Sequence, residues 1–296
     1  MGFARLALLG RPAVSAPGGR VVALPRSCWP VIGFLTSNWR RRLDREEVAD
    51  TLWPDLGGRR ARRCLSTALW RLRAVPGLGE LVLPGESAAF ALNLRARVHI
   101  DIIAFERRLE RLLAEGPSAS PGVMARGIRA LALYRGDPFQ RIDADWALVE
   151  RERLRLMLLE GLGLVAESAM AAGNQGEAIR HATRLASLEP LREDIHRLLM
   201  RAYMARGARA KAIAQYRTCQ GELATALGIE PMEETRNLYE SLVALPDRRL
   251  APSAEARRGA HFEAVAHRLR LARRASIATT RGIEEALQLI ERAAQS

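Results

Sequence analysis

Arg59-Arg60-Ala61-Arg62-Arg63-Cys64-Leu65-Ser66-Thr67-Ala68-Leu69-Trp70-Arg71-Leu72-Arg73-Ala74-Val75 is the stretch on which the fold turns. Its apolar residues Ala61, Leu65, Ala68, Leu69 and Leu72 recur at helical spacing and form one stripe on a wheel of about 100° per residue. Such a stripe suits packing on neighbouring helices. Arg59, Arg60, Arg63, Ser66, Thr67, Trp70 and Arg71 lie off the stripe, and Arg62 lies on its border. No acidic residue occurs between positions 59 and 73. A solvated helix face usually mixes signs through Glu–Arg pairs, and this one does not. An apolar stripe backed by arginines and hydroxyls is what a helix lying in a DNA major groove needs. Arginine forks onto guanine acceptors or clamps phosphate, while Ser and Thr serve base edges or backbone. Trp70 can pack against sugar or tuck under a neighbouring hairpin; indoles are usually buried, so burial is expected.

Upstream, Phe3–Leu9, the turn Gly10-Arg11-Pro12 and Gly18-Gly19-Arg20 before Val21–Leu24 suggest an antiparallel meander of about three short strands. Ser27 is placed to cap a helix running to about Asn38, with Pro30 tolerated in its first turn. Asp44 caps the next, with Glu46 and Glu47 favourable in its first turn and Val48, Leu52 and Trp53 on one face. Pro76-Gly77 stops the arginine-rich helix. Leu81–Leu83, the turn Pro84–Ser87 and Ala88–Leu92 then read as a hairpin. Strands, three helices and a closing hairpin describe a winged helix.

From Asp101 to Leu245 the pattern is helical throughout. Gly173 and Gly207 stand 34 residues apart, as do Glu177-Ala178 and Lys211-Ala212, and Glu189-Pro190 and Glu230-Pro231 close the two units. A helix pair of about 34 residues is the tetratricopeptide period. Such units bury their faces only by stacking, so further helix pairs are expected before them, with Ala125–Tyr134 and Trp146–Ala172 as candidates. The fold predicted is therefore mainly α with a small β component, a winged helix over residues 1–98 followed by a tetratricopeptide-like α-solenoid over 99–245. Residues 246–296 read as a basic linker and helical tail.

Charge supports this division. The chain carries 46 basic and 33 acidic residues, a net +13. Residues 1–98 hold 16 Arg against 7 acidic residues, whereas 99–245 hold 20 of each sign. Positive charge focused on one domain points to a polyanion, and nucleic acid is the usual one. Arg40-Arg41-Arg42, just before the second helix, and Arg45 in its first turn are expected at flanking phosphates.

Leu8-Leu9-Gly10, Arg45-Glu46-Glu47-Val48-Ala49-Asp50-Thr51-Leu52-Trp53 and Ala61-Arg62-Arg63 through Leu69-Trp70-Arg71-Leu72-Arg73 resemble the OmpR-type winged helix of the Streptomyces antibiotic regulatory protein (SARP) family. Asp101 to Phe105, Tyr134-Arg135-Gly136-Asp137, Pro190-Leu191-Arg192-Glu193, His196 to Met200, Ala212 to Tyr216 and Leu227-Gly228-Ile229-Glu230-Pro231 resemble the bacterial transcriptional activator domain. The similarity spans about residues 1–245. It implies an activator that binds direct repeats in double-stranded promoter DNA and recruits RNA polymerase. The third helix would read the major groove with Arg59, Arg60, Arg62, Arg63, Ser66, Thr67, Trp70, Arg71 and Arg73. The helical repeats would mediate polymerase contact or self-association. Two departures stand out: Trp70 occupies a place where a small or polar residue is usual, and the hairpin tip carries Glu86 and no basic residue.

Other chemistry is hard to find. There is no GxxxxGK[ST] loop and no GxGxxG opening a helix, since Gly161-Leu162-Gly163 lies inside an apolar helix. His99, His181, His196, His261 and His267 are scattered without ligand spacing, and His196 is expected to pack or cap within the solenoid. Asp143 and Asp145 suit a helix start. Cys28, Cys64 and Cys219 are widely separated and read as thiols in a reducing compartment. No apolar run approaches the ~18 residues of a membrane span, and no leader is apparent, so a cytoplasmic, cofactor-free, non-enzymatic protein is expected. A second reading is a tetratricopeptide-like interaction scaffold whose winged helix no longer binds DNA. The acid-free helix face separates the two, because a degenerate domain would be expected to lose it.

Overall fold

A computed structural model describes residues 2–84, 89–140 and 142–244. The chain opens with β1 (Ala4–Ala7), β2 (Ala13–Ser15) and β3 (Val21–Val22), paired antiparallel in the predicted meander with Leu6 opposite Val14 and Val14 opposite Val22. Helices α1 (Cys28–Ser37), α2 (Arg45–Leu52) and α3 (Gly58–Arg73) follow. The strand pair β5 (Val82–Pro84) and β6 (Ala89–Leu92) forms the hairpin, with Leu83 opposite Ala91. A two-residue strand before α2, β4 (Leu43–Asp44), adds to it with Leu43 opposite Phe90. The hairpin tip, including Glu86, lies outside the described residues.

Local chemistry explains the start of α2. The Asp44 side chain accepts from the Glu46 backbone N–H at 2.7 Å, which satisfies one orphan donor of α2. Ser27 does not cap α1. It precedes the helix with helical φ/ψ, makes no side-chain cap bond, and its Oγ instead accepts from Arg71 at 3.1 Å. Helix α1 buries Cys28, Val31, Ile32, Phe34, Leu35 and Thr36, so it is apolar on every side. A helix of that kind must be covered all round, and α1 packs on α3 as well as on α4 (Asp101–Glu115) and α6 (Asp145–Ala171) of the following domain.

That sharing ties the two halves together. Strand β7 (Val98–Ile100) runs parallel to β1, Leu6 against Ile100, and completes a sheet of order β3-β2-β1-β7. Helix α4 starts at the next residue. The buried Asp101 carboxylate accepts from the backbone N–H of Leu8, Leu9 and Ile102 at 2.8–3.0 Å. Gly33 sits where an added Cβ would lie 3.0 Å from Trp146 and 3.1 Å from Phe139, so a larger residue would push α1 off the start of α6. One hydrophobic core runs without a break from Leu6 to Leu199.

The helical domain stacks in pairs: α4 with α5 (Pro121–Leu131), α6 with α7 (Gln175–Leu188), and α8 (Glu193–Ala205) with α9 (Arg209–Leu227). The 34-residue period is geometric. Gly173 and Gly207, both at φ +71°, end α6 and α8, a left-handed conformation that only glycine adopts at little cost. The next residue closes each turn the same way, Asn174 N–H to Ala169 O at 2.8 Å and Ala208 N–H to Tyr203 O at 2.9 Å. Ala178 and Ala212, one period apart, are fully buried where the paired helices meet. Helix α10 (Glu233–Ala244) belongs to a separate unit beginning at Glu230. The expected tail over 246–296 lies outside the described residues.

Candidate nucleic-acid interface

The buried stripe of α3 is Ala61, Leu65, Ala68, Leu69 and Leu72, as its spacing predicts. All nine residues expected at the DNA (Arg59, Arg60, Arg62, Arg63, Ser66, Thr67, Trp70, Arg71 and Arg73) are exposed. The stripe fixes which way the helix faces, because turning the arginines inward would desolvate unpaired guanidinium groups. Trp70 departs from expectation: it is 69% exposed rather than buried. It stands seven residues after Arg63, two turns along the outward face, out of reach of the core.

The exposed side chains fall into three groups. The guanidinium groups of Arg59, Arg60, Arg63 and Arg73 make no hydrogen bond or ion pair among the described residues. Arg62 pairs with Glu46 at 2.5 Å and Arg45 donates to Ser66 Oγ at 2.9 Å, so the start of α2 forms one flank of the face. Arg71 forms the other flank through Ser27. The Ser66 and Thr67 hydroxyls donate to the carbonyls of Arg62 and Arg63, both at 2.9 Å. Thr67 Oγ1 keeps its lone pairs for an outside donor, whereas Ser66 already accepts from Arg45.

The run before α2 is arranged differently. Arg40 pairs with Glu110 of α4 and lies 4.5 Å from the Trp39 ring centroid. Arg41 makes a two-pronged bridge to Glu47, at 2.6 and 3.0 Å, and that guanidinium holds the Glu47 carboxyl below its usual range. Arg42 is exposed and has no partner among the described residues. Beside Arg40 lies a polar knot that the sequence did not reveal. The Trp39 indole donates to Glu106 at 2.6 Å, Arg153 of α6 pairs with both Glu106 and Glu150, and Arg107 lies 4.5 Å from the Trp39 ring. Glu106 is 2% exposed, and burial pushes its carboxyl up despite the Arg153 charge.

The remaining polar candidates have structural partners. His196, 1% exposed, lies 2.9 Å from Pro190 O and 2.7 Å from Gln215 Nε2, within the solenoid as expected. His181 packs beside Glu177, and burial lowers its pKa. Gly161 and Gly163 are buried inside α6, while Asp145 opens that helix. Among the described residues no cluster of His, Cys, Asp or Glu could hold a metal ion, and no helix is long and apolar enough to cross a membrane.

Comparison with known proteins completes the assignment. The model of the bacterial transcriptional activator domain matches residues 100–243. Regulatory protein AfsR of Streptomyces coelicolor is 30% identical over 199 residues, 67% of this chain and 20% of AfsR, so the chain spans about a fifth of that relative. Transcriptional regulatory protein MoaR1 of Mycobacterium bovis is 33% identical over 226 residues, 72% of this chain and 70% of MoaR1. Among solved structures, Mycobacterium tuberculosis EmbR in complex with a low-affinity phosphopeptide superposes with a TM-score of 0.59 at 21% identity, covering 92% of this chain and 71% of EmbR, a likeness of fold. The chain belongs to the SARP-type family of transcriptional regulators that carry the bacterial transcriptional activator domain.

Proposed function

We propose that the chain is a DNA-binding transcription activator that lays α3 in the major groove of double-stranded promoter DNA. One observation carries the reading: an exposed helix face with six arginines and no acid, four of those arginines without a partner among the described residues. Leaving so many like charges adjacent and uncompensated favours a polyanion that supplies the countercharge. Arg59 and Arg63 face outward near the N-terminal end, where a recognition helix meets base edges. Thr67 offers an acceptor one turn further on. Arg42, Arg45, Arg60 and Arg73 flank them and serve phosphate. Arg40 and Arg41 contribute less, because DNA must first draw each from a carboxylate, although surface pairs of that kind hold only ~0–1 kcal/mol.

The activator domain supplies the protein-facing surface of this reading, toward RNA polymerase or a second copy of the chain, in a cytoplasmic regulator with no catalytic role. A gel-shift titration with the native promoter at two salt concentrations tests the reading. Binding that falls steeply between ~50 and ~200 mM salt and discriminates promoter from scrambled DNA is expected. Absence of both would leave the interaction-scaffold reading in its place.

A further inference from the structure

A cavity of about 530 Å3 opens where the winged helix meets the activator domain. Its walls are apolar and partly aromatic: Leu8 after β1, Trp29 and Pro30 at the start of α1, and Phe139 and Ile142 in the segment before α6. Pro12, Arg11, Arg26 and Gln140 complete the lining, and among the described residues no acidic one takes part. The volume lies within the ~300–1,000 Å3 of small-molecule sites, and a mostly apolar wall with a few polar groups is their usual make-up.

Three features show a preformed site. Phe139 is the one non-glycine among the described residues with a left-handed φ, +57°, yet it is 1% exposed and packs edge-on against Trp146 at 5.6 Å. Residues held in such a conformation persist where surrounding structure over-determines them, and they cluster at ligand clamps. Here Arg151 supplies the restraint by donating to the carbonyls of Pro138, Phe139 and Ile142 at 3.0–3.3 Å, while Leu9 bridges to Pro138. The guanidinium groups of Arg11 and Arg26 have no partner among the described residues, in contrast to those of Arg40, Arg41 and Arg153.

We propose that this cavity binds an aromatic organic anion, whose ring rests against Trp29 and whose carboxylate or sulfonate meets Arg11 and Arg26. The ring would gain apolar burial and an edge or face contact with the Trp29 indole. The anionic group would gain charge-assisted hydrogen bonds from guanidinium groups that lack a countercharge. The occupant would touch both domains, one residue from Ser27, the hydrogen-bond partner of Arg71 on α3. The proposal does not depend on DNA binding and stands or falls separately.

The test uses the full chain without DNA and two fluorescent probes of one shape, anionic 8-anilinonaphthalene-1-sulfonate and neutral N-phenyl-1-naphthylamine. One saturable site is expected, at least tenfold tighter for the anion. Combining Arg11→Glu with Arg26→Glu should weaken the anion at least tenfold and leave the neutral probe within twofold, with an unchanged circular dichroism melt. If that variant melts early, Arg11→Gln with Arg26→Gln should show the same selective loss, at least threefold. Exposed Val149 and Leu156 on α6 are the competing apolar surface, and changing both to Ser should leave the anion's affinity intact. Equal affinity for the two probes, no response to the arginine substitutions, or loss of binding in the α6 variant would each overturn the proposal.

Discussion

Two sets of arginines in this molecule look alike in the sequence and differ in the structure. Arg40-Arg41-Arg42 and Arg59-Arg60 with Arg62-Arg63 are both dense basic runs close to helix starts. In the first, two of three guanidinium groups are held by carboxylates, Arg40 by Glu110 and Arg41 by Glu47. In the second, only Arg62 is paired among the described residues, through Glu46. The difference arises from what lies opposite. Arg40 and Arg41 stand within reach of acids on α4 and α2, whereas Arg59, Arg60 and Arg63 project from a helix that packs through its apolar stripe. The charge of a run therefore indicates less about a DNA surface than whether the fold brings acids up to it.

The comparison can be broken by mutation. Replacing Arg59 and Arg63 together with alanine should weaken promoter binding at least ~30-fold, since each base-edge contact is worth ~1–3 kcal/mol. The thermal melt should stay within about 2 °C, because neither side chain packs; fluorescence anisotropy and differential scanning calorimetry measure the two. A comparable loss from Arg40→Ala with Arg41→Ala would break the contrast, as that pair is expected to cost less than ~3-fold.

The domain junction offers a stability test. Glu106→Ala should lower stability by about 2–3 kcal/mol in urea titration, because the Trp39 indole and Arg153 lose a buried acceptor. Glu106→Gln isolates the charge. Burial raises the Glu106 pKa in the fold above its ordinary 4.5, so the folded state holds the proton more tightly than the unfolded chain. The stability of wild type relative to Glu106→Gln should thus be greatest below pH 4.5 and decline as pH rises through the folded pKa. The opposite slope would mean that the Arg153 pair outweighs desolvation.

The smallest effect is a labelling difference. Cys28 and Cys219 are buried, and burial pushes the Cys219 thiol up to about 11. Cys64 is half-buried on α3 beside Arg63. A disulfide reagent at pH 8 should modify one thiol rapidly, Cys64, and promoter DNA should slow that reaction several-fold. Rapid labelling of two or three thiols would contradict the packing described for α1 and α9.

Much of this was legible in the sequence, for identifiable reasons. The stripe of α3, the Asp44 cap and the 34-residue spacing of Gly173 and Gly207 are local patterns whose causes lie within one turn or one repeat. The general tendency of indoles to be buried favours burial of Trp70, but its position on the wheel points outward, and position prevails. Ser27 has the sequence signature of a cap, but its hydroxyl is taken by Arg71, 44 residues away. Strands β4 and β7, two and three residues long, are too short for alternation to show. The knot of Trp39, Glu106 and Arg153 and the tie from Asp101 to Leu8 join residues far apart in the chain. One signal was available for that junction: α1 is apolar all round, which a winged helix standing alone would not require.

The salt dependence of promoter binding separates the two basic runs most directly when three proteins are compared: wild type, Arg60→Ala with Arg73→Ala, and Arg40→Ala with Arg41→Ala. The slope of log K against log salt reports phosphate contacts, at about −0.9 for each one neutralised. Wild type should show a steep slope, the α3 variant one shallower by about 1–2, and the Arg40 and Arg41 variant no change. A slope that stays the same in the α3 variant and flattens in the other would contradict it.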